Sequence, residues 1–354
     1  MFTLKIAATP VVASKFFAAA DRESVLAAVR SHSPRRVVFI DTPATAELVT
    51  TVEALKADGI EIHVRDHHDE PNPGNPRAEQ IKVAAQKVRE IVGEGARISD
   101  RKNHPACSTL VEVGEFSAEG TVLVIDPDPD GLTAGMKALG VTYPELDADA
   151  VVLDGGRAGQ TADKLSAVAY LFVRAMSTLP PFDANRPQFS EDAKAKLFSD
   201  FVAVVQGDSE AHARLQKGVE VYEAGVREAE KLAGTVTDIM PGVAYIDVTT
   251  APRFDLGTLA AKMEGRPGTK VTVQKKAQGP IATKHNGVQY SLAVAKAHQA
   301  AINLQDLLNP GFVSSPDAGI ISNTSFLLHV SEKVWNEVVL PALKAKLEGW
   351  TKTG

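Results

Sequence analysis

Three times in its first half this chain runs a short apolar, β-branched stretch straight into acidic or imidazole residues and then into a segment with helical spacing. VVFI runs into Asp41, EIHVR into Asp66, His67 and His68, and TVLVI into Asp126. Strands that alternate with helices are joined by crossovers, and crossovers make parallel sheets. The pattern predicts strands at Val37–Ile40, Glu61–Arg65, Thr121–Ile125 and Ala150–Leu153, with helices at Ala44–Ala57, Arg77–Val92 and Gly131–Leu139. In an open parallel sheet ligands gather at the carboxyl ends of the strands, which is where these acidic groups fall.

A length of 354 residues suggests two domains. The segment STLPPFDANRP, Ser177–Pro187, has three prolines and no helical pattern, so it reads as a break. A charged helical stretch from Ser190 to Leu232 follows it. Beyond lie VAYIDV, the helix DLGTLAAKM, the strands TKVTVQKKA and GVQYSLAVA, and the short helix INLQDLL, the pattern of a smaller mixed α/β domain. The expected division is a parallel-sheet α/β domain over residues 1–189, a helical linker over 190–234 and a mixed α/β domain over 235–354.

Composition narrows the function. With 38 basic and 44 acidic residues the formal charge is −6, which argues against a surface that binds duplex nucleic acid over its whole extent. Cys107 is the single cysteine, which rules out an intramolecular disulfide and a cysteine zinc cluster and fits a reducing, cytoplasmic setting. It lacks an evident base partner and reads as a small packed residue. Val11–Ala20 is apolar, but Lys15 interrupts it and Asp21, Arg22 and Glu23 follow, so it reads as a strand and helix and not as a secretory signal. No apolar run approaches the roughly 18 residues that span a bilayer, and no membrane role is expected.

The acidic strand ends carry the chemistry. Asp41 and Asp66 are separated by 25 positions, one β–α–β unit, which brings neighbouring carboxyl ends within side-chain reach. Asp41 and His67 can therefore share a metal. Asp126, Asp128 and Asp130 stand at alternate positions before Gly131, and carboxylates so close repel one another unless a cation neutralises them. A calcium EF-hand loop also begins D-x-D-x-D-G, but its twelfth position, a bidentate glutamate in that motif, is Lys137 here. Taken singly, each acidic group is also readable as a solvated turn. Both following strands of one α/β domain point to a metal centre.

Asp66-His67-His68, the upstream Asp41 and the Asp126-Pro-Asp-Pro-Asp130-Gly131 segment together resemble the motifs of the DHH phosphoesterase superfamily, above all its RecJ-like branch. FDLGTLAAKM, TKVTVQKKA, VQYSLAVAKAH and INLQDLL resemble that family's C-terminal substrate domain, so the likeness spans most of the chain. It implies a DHH-type catalytic domain facing a substrate domain across a phosphate-binding cleft. It also implies two Mn(II) ions per chain, with Mg(II) as a substitute, and hydrolysis of phosphodiester bonds in single-stranded nucleic acid or oligonucleotides, as in an exonuclease.

In that scheme Asp41 and a water bridge the ions. Asp126 and Asp128 hold one; Asp130, His67 and Asp154 hold the other, Asp154 being equally readable as a turn residue before two glycines. Asp66 orients an imidazole and His68 meets a phosphate oxygen or the leaving group. The alternatives are a phosphodiesterase of a small compound (cyclic dinucleotide, short oligonucleotide or pyrophosphate) and an inactive binding module of the same fold; a homodimer is compatible with either.

Departures from the family pattern lie in the last metal aspartate, for which Asp154 is the candidate, in the motif order and in the C-terminal domain. The aspartate-rich motif comes after the triplet instead of before it, and the first strand region, LKIAATPVVASKFF, has no acid or histidine. The glycine-rich, histidine-containing substrate loop is replaced by NPGFVSSPDAGI, with Asp317 near the histidine's place. The serine–arginine pair of the central strand reads Ser291-Leu292-Ala293. Substrate candidates are His104, which as a lone loop histidine reads more readily as merely exposed, Ser291, and the basic group Lys275, Lys276, Lys284 and His285, which with Lys270 is equally readable as an edge strand guarded by lysines.

Overall fold

The computed structural model describes residues 1–15, 19–69, 76–154, 164–179, 187–308 and 315–350. Contacts divide the chain into two units, residues 1–221 and 222–354.

In the first unit β1 (Phe2–Ile6) and β2 (Thr9–Ala13) form an antiparallel hairpin. Then come α1 (Ala19–Ser31), β3 (Arg36–Ile40), α2 (Ala46–Ala57), β4 (Glu61–Asp66), α3 (Pro76–Val92) and β5 (Ala96–Ile98). β6 (Thr121–Ile125) is followed by α4 (Pro129–Ala138), α5 (Leu146–Asp154), α6 (Ala167–Met176), α7 (Pro187–Val205) and the start of α8 (Ser209–Ala233), which runs on into the second unit. The sheet order is β1-β2-β6-β3-β4-β5, and every pair after the hairpin is parallel.

β6 is buried along its whole length, as expected of a central parallel strand covered on both faces. Alternation divides its side chains. Leu123 and Ile125, with Val38 and Ile40 of β3, meet Leu132, Met136, Phe172, Phe198 and Phe201 on one face; Val122 and Val124, with Val37 and Phe39, meet Leu48, Val52, Leu55 and Val88 on the other.

One expectation needs correction. Ala150–Leu153 is not a strand but the end of α5, because the buried positions Leu146, Asp149, Ala150 and Leu153 recur at helical spacing while Val151 is exposed. The charged helical stretch Ser190–Leu232 spans α7 and α8, and α7 gives Phe198 and Phe201 to the first unit's core. Most of the proline-rich break, residues 180–186, lies outside the described residues, as do 309–314 of the substrate loop and the glycines after Asp154.

The second unit is a mixed sheet. Its elements are β7 (Thr237–Met240), β8 (Val243–Asp247), α9 (Leu256–Glu264), β9 (Val271–Lys276), α10 (Pro280–Lys284), β10 (Gln289–Val294), β11 (Ile320–Thr324) and β12 (Leu327–Ser331), with a C-terminal helix Leu340–Trp350. The order is β11-β12-β10-β9-β8-β7, in which only β8 and β9 pair in parallel. INLQDLL supplies a single 3-10 turn, Leu304–Leu307.

Candidate metal centre

Strand register builds this site. Ile40 of β3 stands opposite Arg65 of β4 on one side and Ile125 of β6 on the other. One step past that row the chain reaches Asp41, Asp66 and Asp126, so three neighbouring strands deliver carboxylates to one sheet end. The Asp41 amide donates to the Arg65 carbonyl at 2.8 Å, and the Asp126 amide to the Ile40 carbonyl at 3.3 Å. Asp41 holds a left-handed backbone at φ 56°, a conformation aspartate tolerates better than most residues.

α4 begins directly above. Asp128 is its N-cap and accepts from the Gly131 amide at 2.9 Å, which fixes the acidic loop against the helix start. A Cβ at Gly131 would lie 2.4 Å from the Asp126 carbonyl oxygen, so only glycine allows so close an approach. Asp130, in the first turn, points inward and accepts from the Cys107 amide at 2.9 Å. Asp154 arrives from the end of α5, a helix terminus and not a strand end.

Ligand-type atoms converge in three groups: Asp41 with Asp126 and Asp128; His67 with Asp130 and Asp154; and Asp41 with His67 and His68. The His67 Nε2 lies 3.2 Å from Asp41 Oδ1, 3.3 Å from Asp130 Oδ2 and 4.0 Å from Asp154 Oδ1. The other nitrogen, Nδ1, donates to the His104 carbonyl at 2.9 Å, so Nε2 carries the lone pair. An unprotonated nitrogen facing carboxylates at that distance is repelled by them unless a proton or a cation lies between. Asp66 accepts from His68 Nδ1 at 2.7 Å and leaves His68 Nε2 toward Arg101 Nη2, 2.9 Å away.

The electrostatics point the same way. Burial first, then the charges of Asp130, Asp128, Asp66 and Asp126, push the Asp41 carboxyl well above its usual range. Asp130 is also pushed well up by burial, against the pull of the Cys107 amide. Burial and Asp128 raise Asp126 to about 7. Burial lowers His67; for His68, burial opposes charging, but the Asp66 hydrogen bond and charge outweigh it and the net shift is upward. Asp41 Oδ1, His67 Nε2, Asp126 Oδ1 and Asp130 Oδ1 are all buried without a hydrogen-bond partner. Buried polar atoms in such number are rarely left unpaired, and this donor set suits a hard or borderline divalent cation.

Several groups support the site in ways that sequence spacing does not reveal. Arg101, in the loop after β5, grips both Asp154 oxygens, Nε to Oδ2 at 2.8 Å and Nη2 to Oδ1 at 3.0 Å. His104 acts through its carbonyl, while its ring nitrogen meets Thr109 Oγ1 at 3.2 Å. Cys107 is fully buried, and its thiol donates to the Arg65 carbonyl.

The basic group of the second unit divides instead of forming one patch. β9 is an interior strand, so the edge-guarding explanation does not apply. Its pairing with β10 is unbroken, which puts Lys275 on the Val271 and Val273 face, where Asp247 and Glu332 lie 3.7 and 3.4 Å from its ammonium. Lys284 is ion-paired with Asp317, and His285 Nε2 donates to the Pro316 carbonyl at 2.8 Å. Lys270 precedes the strand.

Lys276 lies on the opposite face without a carboxylate partner among the described residues, and burial pulls its pKa down to about 8. On the same face Ser291 is hydrogen-bonded to Gln289 and, at 3.0 Å, to His329, a residue that sequence patterning did not single out. Because Lys276 is charged at less cost in the unfolded chain, its burial penalty is complete below about pH 8 and fades as pH rises toward its ordinary value near 10.5. Lys276→Met is therefore expected to unfold at a higher temperature than wild type at pH 7, with the gap closing between pH 8 and 10 in parallel melts. A constant gap would assign the effect to packing.

No protein-family model and no curated protein matches this chain. Among solved structures it is similar to a pGpG-specific phosphodiesterase, PggH, from Vibrio cholerae, with a TM-score of 0.37 and 11% identity over 89% of this chain and 99% of that one. It is also similar to a DHH domain from a member of the s1p family of ribosomal proteins, with a TM-score of 0.41 and 15% identity over 93% of this chain and 74% of that one. No described helix is long and apolar enough to cross a membrane.

Proposed function

We propose that this chain is a metal-dependent phosphoesterase of the DHH superfamily that hydrolyses the phosphodiester bond of short oligonucleotides, with two Mn(II) ions held by Asp41, His67, Asp126, Asp128, Asp130 and Asp154. The observation that carries the reading is the set of four buried, unpartnered atoms, Asp41 Oδ1, His67 Nε2, Asp126 Oδ1 and Asp130 Oδ1, gathered at one sheet end. When bound, such ions acidify water and offset the charge that develops on phosphorus oxygens.

The chain's own groups divide the remaining work. Asp41 belongs to both the aspartate group and the histidine group, which suits it to a shared ligand. The His104 carbonyl keeps the His67 lone pair on Nε2, and Asp66 steadies the His68 ring, whose Nε2 and the neighbouring Arg101 form the polar edge available to a phosphate oxygen. Manganese is favoured over magnesium because an imidazole joins the carboxylates. A short substrate is favoured over a long strand because Lys275 and Lys284 are already neutralised by carboxylates and the whole chain is acidic. Activity on a cyclic dinucleotide or pyrophosphate is an outcome of the test.

Chelator-treated protein is expected to lose hydrolysis of phosphodiesters and to regain it with Mn(II), binding two ions per chain. The assay runs end-labelled single strands, linear and cyclic dinucleotides and pyrophosphate side by side, and dinucleotides should be cleaved fastest. Metal-free protein working at the untreated rate would sink the mechanism. Preference for long strands would sink the substrate assignment, and metal uptake without cleavage of any substrate would identify an inactive binding module.

A further inference from the structure

Arg101 occupies an unusual place for a cation. Its guanidinium lies along both oxygens of Asp154 and against His68 Nε2, while Asp154 Oδ1 is also 4.0 Å from the His67 lone pair. Asp154 thus faces two ways, toward a positively charged side chain and toward the His67–Asp130 group. The Arg101 side chain is 38% exposed against 11% for Asp154, so the arginine has room to withdraw and the aspartate does not. An isolated bridge between His68 and Asp100 fixes the backbone beside it, which leaves the side chain as the movable part.

We propose that Arg101 is a cation stand-in: it holds Asp154 and His68 in the metal-free protein and yields Asp154 when a divalent ion enters the His67–Asp130–Asp154 group, thereby setting that ion's affinity. The inference rests on the two-ion reading above. A fork-shaped guanidinium fits a carboxylate at both oxygens and satisfies Asp154 as a metal would, at half the charge. It also repels an incoming dication a few ångströms away, so affinity at this position is held below what its ligands alone would give. Asp154, which Arg101 grips, does not belong to the Asp41–Asp126–Asp128 group, so that group should feel the exchange less.

The test is Mn(II) titration of the full-length protein by calorimetry, with manganese EPR to count bound ions, on wild type, Arg101→Gln and Arg101→Lys. Arg101→Gln should bind the weaker of the two ions about tenfold or more tightly than wild type, the scale of removing one nearby unit charge. Arg101→Lys, which keeps the charge but loses the fork, should stay within a few-fold of wild type. In thermal melts metal-free Arg101→Gln should unfold below metal-free wild type, and saturating Mn(II) should erase the difference.

Unchanged or weaker binding of both ions by Arg101→Gln would overturn the proposal and make Arg101 a support for its neighbours. A melting deficit that persists with metal would do the same. Should Arg101→Gln fail to fold, a tenfold change in Arg101→Lys would overturn the charge argument. Wild type that binds no Mn(II) would instead refute the two-ion reading itself.

Discussion

Asp41→Asn is expected to lower phosphodiester turnover by about three orders of magnitude or more, the scale of losing a group that organises both ions, and to reduce bound Mn(II) from two ions to at most one. Asparagine keeps the shape of the side chain and tolerates the left-handed backbone that residue 41 adopts, so the fold should survive. It should even gain where metal is absent. Burial and four neighbouring aspartates raise the Asp41 pKa in the folded chain, so the folded state binds more protons than the unfolded one above about pH 4. The metal-free wild type therefore loses stability as pH rises through that window, and the asparagine variant lacks this part of the loss.

Metal-free Asp41→Asn should accordingly melt at or above metal-free wild type at pH 7, which separates lost activity from lost structure. Asp154→Asn should do less harm, because Asp154 belongs to one group of ligand-type atoms and Asp41 to two. A variant at Asp41 with near-native turnover and both ions would eliminate the proposed centre.

The largest loss of stability is expected from Arg65→Met. Arg65 is 3% exposed; it pairs with Glu115, donates to the Val64 and Gly95 carbonyls at 2.8 and 2.7 Å, and stacks its guanidinium 5.0 Å from the Phe116 ring centroid. Removing one partner of a buried ion pair costs about 3–5 kcal/mol when the other charge is stranded; here Arg97, 3.6 Å from Glu115, and the Glu112 amide stay beside the carboxylate, which places the expected loss toward the lower end. Replacing both, as Arg65→Met with Glu115→Leu, leaves no stranded charge and should recover most of that loss. Urea unfolding of the two single variants and the double measures this directly; additive losses would mean that the pair is not coupled.

The pair matters to the centre because residues 104–116 are fastened to β4 through it. That segment supplies the Cys107 amide on Asp130 and the His104 carbonyl on His67.

Legibility followed periodicity. β3, β4 and β6 could be read because each is an apolar run stopped by a charge, and Asp41, the Asp66–His68 triplet and Asp126–Asp130 came with them. Four apolar or small residues before Asp154 were too few to distinguish a strand from a helix face, and α5 was misread. The lysines of β9 could be placed on faces, but their carboxylate partners lie on β8 and past β12, so sequence spacing did not reveal that Lys275 is neutralised and Lys276 is not. Arg101 and His329 are single residues whose meaning comes only from strand register and loop placement. The position of β6 between β2 and β3 was equally hidden, since strand order is decided by packing among distant segments.

That position has a consequence for how the protein comes into being. β6 is made late, yet it joins the β1–β2 hairpin to the β3–β4–β5 sheet. Until it is inserted the first unit consists of two pieces with an open edge on each, and bringing distant segments together is the slow part of folding. Asp126, Asp128 and Asp130 enter only with that strand, so an ion bound as proposed would find its full set of ligands only after the sheet has closed. Metal bound as proposed would then favour the finished fold over an unfinished one, and a nascent chain stopped short of Thr121 would expose two unpaired strand edges to its neighbours.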